Sequence, residues 1–230
     1  MLSILRNESH NNKILTLLDT YEKKIYKISN SNKGKKLILN HLLGKKWYLK
    51  ILNLQNNTEL NSYKKYLFYS EDIIDGRIIN YNNSIIKNLK YIYLAIDHYL
   101  KVWPKKKIVP RHGDLTLDNI IFKKNKITFI DWENFNLSGS KYGFDIAYLV
   151  VSSLILPNIG KIPDKKEFLA ANELMNYLLL NGLSEEIFLN PIKFFLNYYK
   201  SINISNKKIT VFLIEKNKID FYEKNILFIN

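Results

Sequence analysis

Alternating apolar and polar residues near the N-terminus predict β-structure. Residues 13–29 carry apolar side chains on both sides of a polar break at 19–24, the pattern of two strands joined as a hairpin. Residues 63–74 form a further apolar stretch, which predicts one or two strands ending at the turn signal Asp75-Gly76. Between them, residues 35–54 place apolar side chains at helical spacing, which predicts a helix weakened by Gly44.

A change of period follows in the middle of the chain. From Ile85 to Trp103, apolar residues recur at steps of three and four, which predicts an amphipathic helix capped by Ser84 and ended by Pro104. A polar loop at 110–119 then leads to two short apolar strands, predicted at 120–122 and 127–130 with a polar turn between them.

The rest of the chain is expected to be mainly helical. Helices are predicted to begin at Asp145, at the capping-box pair Asp164 and Glu167, and at Asn190-Pro191. Pro157 is expected to end the first of them and Gly182 the second, and residues 208–230 fit either a helix or a strand. This order predicts an α+β fold of two lobes over a cleft: a small β-rich N-terminal lobe at residues 1–74 and a mainly helical lobe at 75–230.

Composition narrows the class of protein. The chain has 230 residues, 47% of them hydrophobic, which is ample for a packed core. It has no cysteine, which excludes disulfides and thiolate metal sites. Neither a secretory signal nor an apolar run long enough for a membrane span is evident, so a soluble cytoplasmic protein without membrane insertion is expected.

The net charge of +14 raises the question of an anionic partner. Lysines are scattered along the chain, and arginine occurs only as Arg6, Arg77 and Arg111. Arginine is the side chain that most often binds bases and phosphates in nucleic-acid complexes. The scarcity of arginine therefore favours codon bias and a solvated surface, rather than nucleic-acid binding, as the explanation of the positive charge. A basic nucleic-acid-binding protein stays open as a less favoured alternative.

Candidate chemistry lies between His112 and Glu133. Asp114 and Asn119 are spaced like the Asp and Asn of the kinase catalytic loop, and Asp131 follows where a metal-binding Asp would fall. Asp114 is a candidate to orient a hydroxyl and take its proton, while Asn119 and Asp131 offer the oxygen ligands that Mg²⁺ prefers. His112, the other candidate of the catalytic loop, is expected to brace it by hydrogen bonds.

The segments His112-Gly113-Asp114 to Asn119 and Ile130-Asp131-Trp132-Glu133 resemble the aminoglycoside phosphotransferase and choline kinase superfamily, which has a protein-kinase-like fold. The resemblance implies that Asp114 is the catalytic base, that Asn119 and Asp131 bind the metal, and that ATP and Mg²⁺ are the cofactors. In the similar segment Tyr142 to Ala147, it implies that Asp145 buttresses the catalytic loop, with helix N-capping as the alternative.

The N-terminal half departs from that family. Lys27 is the best match to the phosphate-binding lysine and Lys24 the next, but residues 1–26 contain no glycine. The helix that should supply a glutamate partner, at 33–54, contains no acidic residue. Either the pairing carboxylate comes from elsewhere, with Glu59 and Glu71 as candidates, or the nucleotide is held differently. His10, His41 and His98 lack metal-binding spacing and are expected to be structural or exposed.

These features predict a small-molecule kinase. The acceptor would be a hydroxyl of a choline- or ethanolamine-like amino alcohol, a sugar or an amino sugar. A non-catalytic pseudokinase that keeps the cleft as a binding module is the main alternative. Neither the acceptor nor the oligomeric state follows from the sequence.

Overall fold

The computed structural model describes residues 2–7, 14–55, 57–79, 85–124, 126–155 and 164–183. Several sequence predictions lie outside these residues and are not tested: the cap at Ser84, the helix end at Pro157, the helix start at Asn190-Pro191, the segment 208–230 and the role of His10.

A five-stranded antiparallel sheet forms the N-terminal lobe. Its spatial order is β1-β2-β3-β5-β4. The strands are β1 (Leu2–Asn7), β2 (Leu15–Asp19), β3 (Lys24–Ser29), β4 (Glu59–Tyr63) and β5 (Tyr66–Asp72). The predicted hairpin is confirmed, since β2 and β3 pair from Leu15 opposite Ile28 to Asp19 opposite Lys24. The predicted stretch at 63–74 contains β5, whereas β1 and β4 were not predicted.

Helix α1 (Asn32–Ile51) connects the two halves of this sheet. Ser31 caps it by accepting the Gly34 backbone N–H at 3.1 Å. Ile38 and Leu42 pack with Ile14 and Tyr69 in a small core under the sheet. Six residues further on, Tyr48 belongs to the large core of the other lobe. The helix therefore joins two separate hydrophobic cores.

Gly44 lies where α1 meets the second lobe. A Cβ at this position would lie 2.8 Å from Trp132 Cβ and 2.8 Å from Phe135 Cγ, closer than such atoms approach in real proteins. The glycine that weakens helix propensity by about 1 kcal/mol thus allows the close packing that fixes the segment after Asp131.

The second lobe contains helices and two small antiparallel sheets. The helices are α2 (Ile85–Val102), α3 (Phe144–Val150), which continues as a π-helical turn at Val151–Ile155, and α4 (Lys165–Leu180). The strands are β6 (Ile108–Arg111), β7 (Ile120–Lys123), β8 (Lys126–Phe129) and β9 (Asn136–Lys141), which pair as β6 with β9 and β7 with β8.

Two elements of this lobe agree with the predictions made from local sequence signals. The hairpin of β7 and β8 is present, and α4 begins at Asp164 with both hydrogen bonds of the predicted capping box. The pairing of β6 with β9 was not predicted. The two-lobed α+β architecture is confirmed, whereas the lobe boundary at residue 74 stays a prediction. Within the described residues, no helix combines the length and apolar character needed to cross a bilayer.

Candidate active site

The loop that follows β6 is braced by a buried histidine. His112 has no exposed surface, and its Nε2 lies 2.9 Å from the carbonyl oxygen of Ile130. Its Nδ1 accepts the backbone N–H of Asp114 at 3.4 Å. Together these contacts assign a neutral imidazole with its proton on Nε2. Burial lowers the pKa of His112 to about 4, which agrees with that neutral state. The contacts support the predicted bracing role.

Asp145 holds the same loop from the other side. Its carboxylate accepts the backbone N–H groups of His112 and Gly113, both at 2.9 Å. Burial raises the pKa of Asp145 to about 6, against the effect of these two hydrogen bonds. The cap position of α3 is Gly143, and no side chain caps this helix. The contacts therefore favour the buttress over the N-capping alternative.

Gly113 is required by its backbone and its surroundings. Its φ is +86°, and a Cβ there would lie 2.5 Å from the carbonyl oxygen of Asn134. The glycine lets the catalytic loop lie directly against the segment after Asp131. The two parts of the motif, separated by the β7–β8 hairpin, are thereby packed together.

The hairpin itself brings Asn119 close to Asp131. At its base, the backbone N–H of Ile130 donates to the Asn119 carbonyl at 3.0 Å. The Asn119 side-chain Nδ2 donates to the backbone carbonyl of Asp114 at 2.8 Å, so its amide oxygen is the atom that can face a cation. Asn119 and Asp131 line one cavity, as their positions at the two ends of the hairpin suggested.

Lys27 is the lysine that reaches this cavity from the N-terminal lobe. Its Nζ lies 2.7 Å from Asp131 Oδ1, 2.6 Å from Glu133 Oε1 and 3.2 Å from His41 Nδ1. Burial by itself lowers the pKa of Lys27, but the two carboxylates outweigh it and the pKa is raised. Lys27 is therefore a buried ammonium whose three donors all have acceptors.

Lys24, the second candidate, lies on the same strand in a different environment. Its Nζ is 3.8 Å from the exposed Glu59 carboxylate. An exposed pair at this distance contributes about 0–1 kcal/mol. Among the described residues, Lys27 is thus the β3 lysine placed to meet a ligand in the cleft.

Asp131 has an unusual backbone and a strongly stabilised charge. Its φ of +60° and ψ of +62° are left-handed, a conformation that Asp tolerates better than most residues. Burial would raise the pKa of Asp131, but the Lys27 ammonium outweighs it and holds the pKa well below its usual value. Asp131 is therefore ionised, as a ligand of a cation must be.

His41 and Glu71 complete the charged floor of the cleft. His41 Nε2 lies 3.3 Å from Glu71 Oε1, and Lys45 Nζ donates to Glu71 Oε2. Burial would raise the pKa of Glu71, but the Lys45 ammonium holds it well below its usual value. Glu71 reaches Lys27 through His41, and Glu59 lies beside Lys24, so neither carboxylate expected to pair with Lys27 is a direct neighbour within the described part of the chain.

The cavity between the lobes measures about 350 Å³. Its floor carries the charged residues described above, and its walls are largely isoleucine: Ile25, Ile73, Ile74, Ile78, Ile121 and Ile130. Apolar walls with a few convergent polar groups are typical of small-molecule sites, whose volumes start at about 300 Å³. Asp114 does not line this cavity and lies in the adjoining loop, half-buried.

Sequence reasoning found the motif residues but missed their neighbours. His41 is buried, and its contacts with Lys27 and Glu71 were not predicted. One signal was available: His41 falls on the apolar face of α1, between Ile38 and Leu42. Trp132 lies in the core, whereas Glu133 binds Lys27.

One protein family matches the central part of the chain. Residues 60–152 match the model of the phosphotransferase enzyme family APH, a segment that includes the loop from His112 to Asn119 and also Asp131. The match confirms the predicted resemblance over that segment, which is less than half of the chain. The comparison with curated proteins gave no match.

Several solved structures are similar to the chain at low identity. An amicoumacin kinase in complex with AMP-PNP, Ca²⁺ and Ami is 14% identical, with a TM-score of 0.46 and coverage of 82% of this chain and 75% of that chain. A putative aminoglycoside phosphotransferase from Ralstonia eutropha is 14% identical, with a TM-score of 0.40 and coverage of 80% and 75%. ADP-bound APH(2'')-Ib is 11% identical, with a TM-score of 0.39 and coverage of 98% and 92%.

Proposed function

We propose that this chain is an ATP- and magnesium-dependent phosphotransferase that acts on a hydroxyl group of a small molecule. The observation that carries the proposal is the convergence of Lys27, Asn119 and Asp131 on one cavity. These residues come from distant parts of the sequence, and phosphoryl transfer needs a cation, a carboxylate and an amide in such proximity.

The nucleotide would enter between the isoleucine walls. Ile25, Ile73 and Ile121 offer apolar surface to the base, while the Lys27 ammonium lies at the charged floor. A buried lysine whose pKa is raised stays protonated at neutral pH, so it can stabilise phosphate charge. In this assignment Lys27 exchanges contacts with Asp131 and Glu133 for contacts with phosphate oxygens.

Asn119 and Asp131 fit a magnesium ion by their donor chemistry. They present an amide oxygen and an ionised carboxylate, the hard ligands that Mg²⁺ binds. When bound with the nucleotide, Mg²⁺ neutralises phosphate charge. The residues of the chain would hold it and orient the phosphates beside the catalytic loop.

Asp114 is proposed as the catalytic base. The acceptor hydroxyl oxygen forms a bond to the γ-phosphorus, and the bond from that phosphorus to the β,γ-bridging oxygen breaks, releasing ADP. The hydroxyl proton passes to the Asp114 carboxylate late in this step. His112 and Asp145 act as positioning residues, since each binds the loop backbone beside Asp114. The acceptor is proposed to be an amino alcohol, a sugar or an amino sugar.

The test is ADP release by the purified full chain with ATP and Mg²⁺, across a panel of those three acceptor classes. Asp114→Asn is expected to lower acceptor-dependent ADP release by about 10²- to 10⁴-fold, the usual contribution of a general base. Asp118→Asn is a matched control, because it makes the same change at an exposed position of the same loop.

The outcomes separate the proposal from its main alternative. A pseudokinase-type binding module would bind nucleotide with Mg²⁺ but show no acceptor-dependent ADP release. In that case wild type and Asp114→Asn would not differ. Absence of both binding and ADP release would remove the phosphotransferase proposal altogether.

A further inference from the structure

The N-terminal lobe holds Lys27 without an acidic residue on its helix. Kinase-like enzymes pair the phosphate-binding lysine with a glutamate from a helix. Helix α1 has no Asp or Glu over Asn32–Ile51. Two of the three acceptors around Lys27 Nζ, Asp131 and Glu133, belong to the other lobe and to the metal-binding segment. His41 is the acceptor that α1 itself supplies, 3.2 Å from the ammonium.

The contacts of His41 specify one tautomer. A lysine ammonium only donates hydrogen bonds, so His41 Nδ1 must accept from Lys27 and carries no proton. The ring proton then lies on Nε2, which faces Glu71 Oε1 at 3.3 Å. Within the described residues Nε2 makes no hydrogen bond, so the contact with Lys27 is what assigns the tautomer.

Glu71 and the imidazole are themselves held firmly. Glu71 Oε2 accepts from Lys45 and, at 3.0 Å, from the hydroxyl of Tyr69. The Tyr69 ring also packs edge-on against the His41 ring, with 4.9 Å between centroids. His41 is 2% exposed. The imidazole is therefore fixed in position and orientation by residues of its own lobe.

We propose that His41, which lies between Lys27 and Glu71, is the positioning residue that orients the Lys27 ammonium toward the nucleotide phosphates, an assignment that rests on the proposed function. With Asp131 on a metal ion and Lys27 on phosphate, His41 would be the one of the three acceptors that stays on the same lobe as Lys27. A neutral imidazole accepts a hydrogen bond without adding a negative charge. The ammonium thus keeps its full attraction for phosphate, which a glutamate partner would reduce.

The experiment measures binding of ADP with Mg²⁺ by calorimetry, and KM for ATP and for the acceptor, in the full-length chain. His41→Leu removes both ring contacts and is expected to weaken ADP binding and raise KM for ATP by about tenfold or more. KM for the acceptor should not change. His41→Asn places an amide oxygen near the position of Nδ1 and should restore most of the binding. Glu71→Gln should weaken binding, whereas Glu59→Gln, the matched change on β4, should not.

A spectroscopic signature tests the tautomer in the wild-type chain, even if His41→Leu does not fold. The ¹⁵N shifts of the His41 ring should show a neutral imidazole protonated on Nε2. A proton on Nδ1 would overturn the inference.

The binding results separate this inference from the function on which it rests. If wild type and His41→Leu bind ADP equally while Lys27→Met binds weakly, the role of His41 is wrong and the proposed function stands. If the wild type binds no nucleotide, both are wrong.

Discussion

Replacing Lys27 with methionine should cost far more stability than the same change at Lys24. Both lysines lie on β3, three residues apart. Lys27→Met leaves Asp131 and Glu133 partly buried beside each other, with side-chain exposures of 26% and 12% and without their cation. Breaking a buried pair in this way costs about 3–5 kcal/mol. The exposed Lys24–Glu59 pair, at 3.8 Å, is worth about 0–1 kcal/mol.

Urea denaturation of the two variants measures this difference. Lys27→Met is expected to have a free energy of unfolding lower than that of Lys24→Met by about 2 kcal/mol or more, with similar m-values. Mg²⁺ should stabilise Lys27→Met more than the wild type, because the freed carboxylates gain affinity for a cation. Equal stability of the two variants would refute the reasoning that Lys27 is the ammonium on which this charged cluster depends.

Three further predictions concern packing and titration. Gly113→Ala should destabilise the fold by about 1–3 kcal/mol and lower ADP release, because φ is positive and Asn134 leaves no room for a Cβ; a urea midpoint equal to that of wild type would contradict this. Gly44→Ala should also destabilise by about 1–3 kcal/mol despite its better helix propensity, measured the same way, and a stability gain would show that Trp132 and Phe135 can move aside. The third prediction concerns the dependence of stability on pH. Between pH 6.5 and pH 4, His112 is protonated in the unfolded chain but not in the folded chain. His112 therefore contributes stability above pH 6.5 that is lost as the pH falls through about 4. The difference in unfolding free energy between wild type and His112→Gln should therefore shrink by about 3 kcal/mol over that range, and a constant difference would exclude a neutral buried His112.

Local signals in the sequence predicted helices α1 to α4 and two of the hairpins. The capping box at Asp164 and Glu167, the hairpin of β2 and β3, and the β7–β8 hairpin depend on residues that are neighbours along the chain. β1 and β9 were missed for a different reason. β9 reads Asn-Leu-Ser-Gly-Ser-Lys, with little alternation, and pairs with β6 from well upstream in sequence. Its pairing therefore depends on tertiary contacts rather than on its own composition.

The shared cavity position of Asn119 and Asp131 could be predicted because both residues fall within one short segment with fixed spacing, whereas the catalytic role of Asp114 stays a prediction. The charged floor of the cleft could not be predicted in the same way. Lys27 meets Asp131 across 104 residues, and Glu71 meets Lys45 across 26. A buried histidine such as His41 has the same appearance in a sequence whether it binds a lysine or only fills the core. Only the packing of α1 against β3 and β5 distinguishes these roles.

The central claim is that this cleft transfers a phosphoryl group from ATP to a small-molecule hydroxyl with Asp114 as the base. Mass spectrometry of an acceptor mixture, incubated with ATP, Mg²⁺ and the full chain, tests it most directly. The account predicts an acceptor that gains the mass of one phosphoryl group, in amounts that fall about 100-fold or more with Asp114→Asn and stay unchanged with Asp118→Asn. A phosphorylated acceptor formed equally by wild type and Asp114→Asn would contradict it.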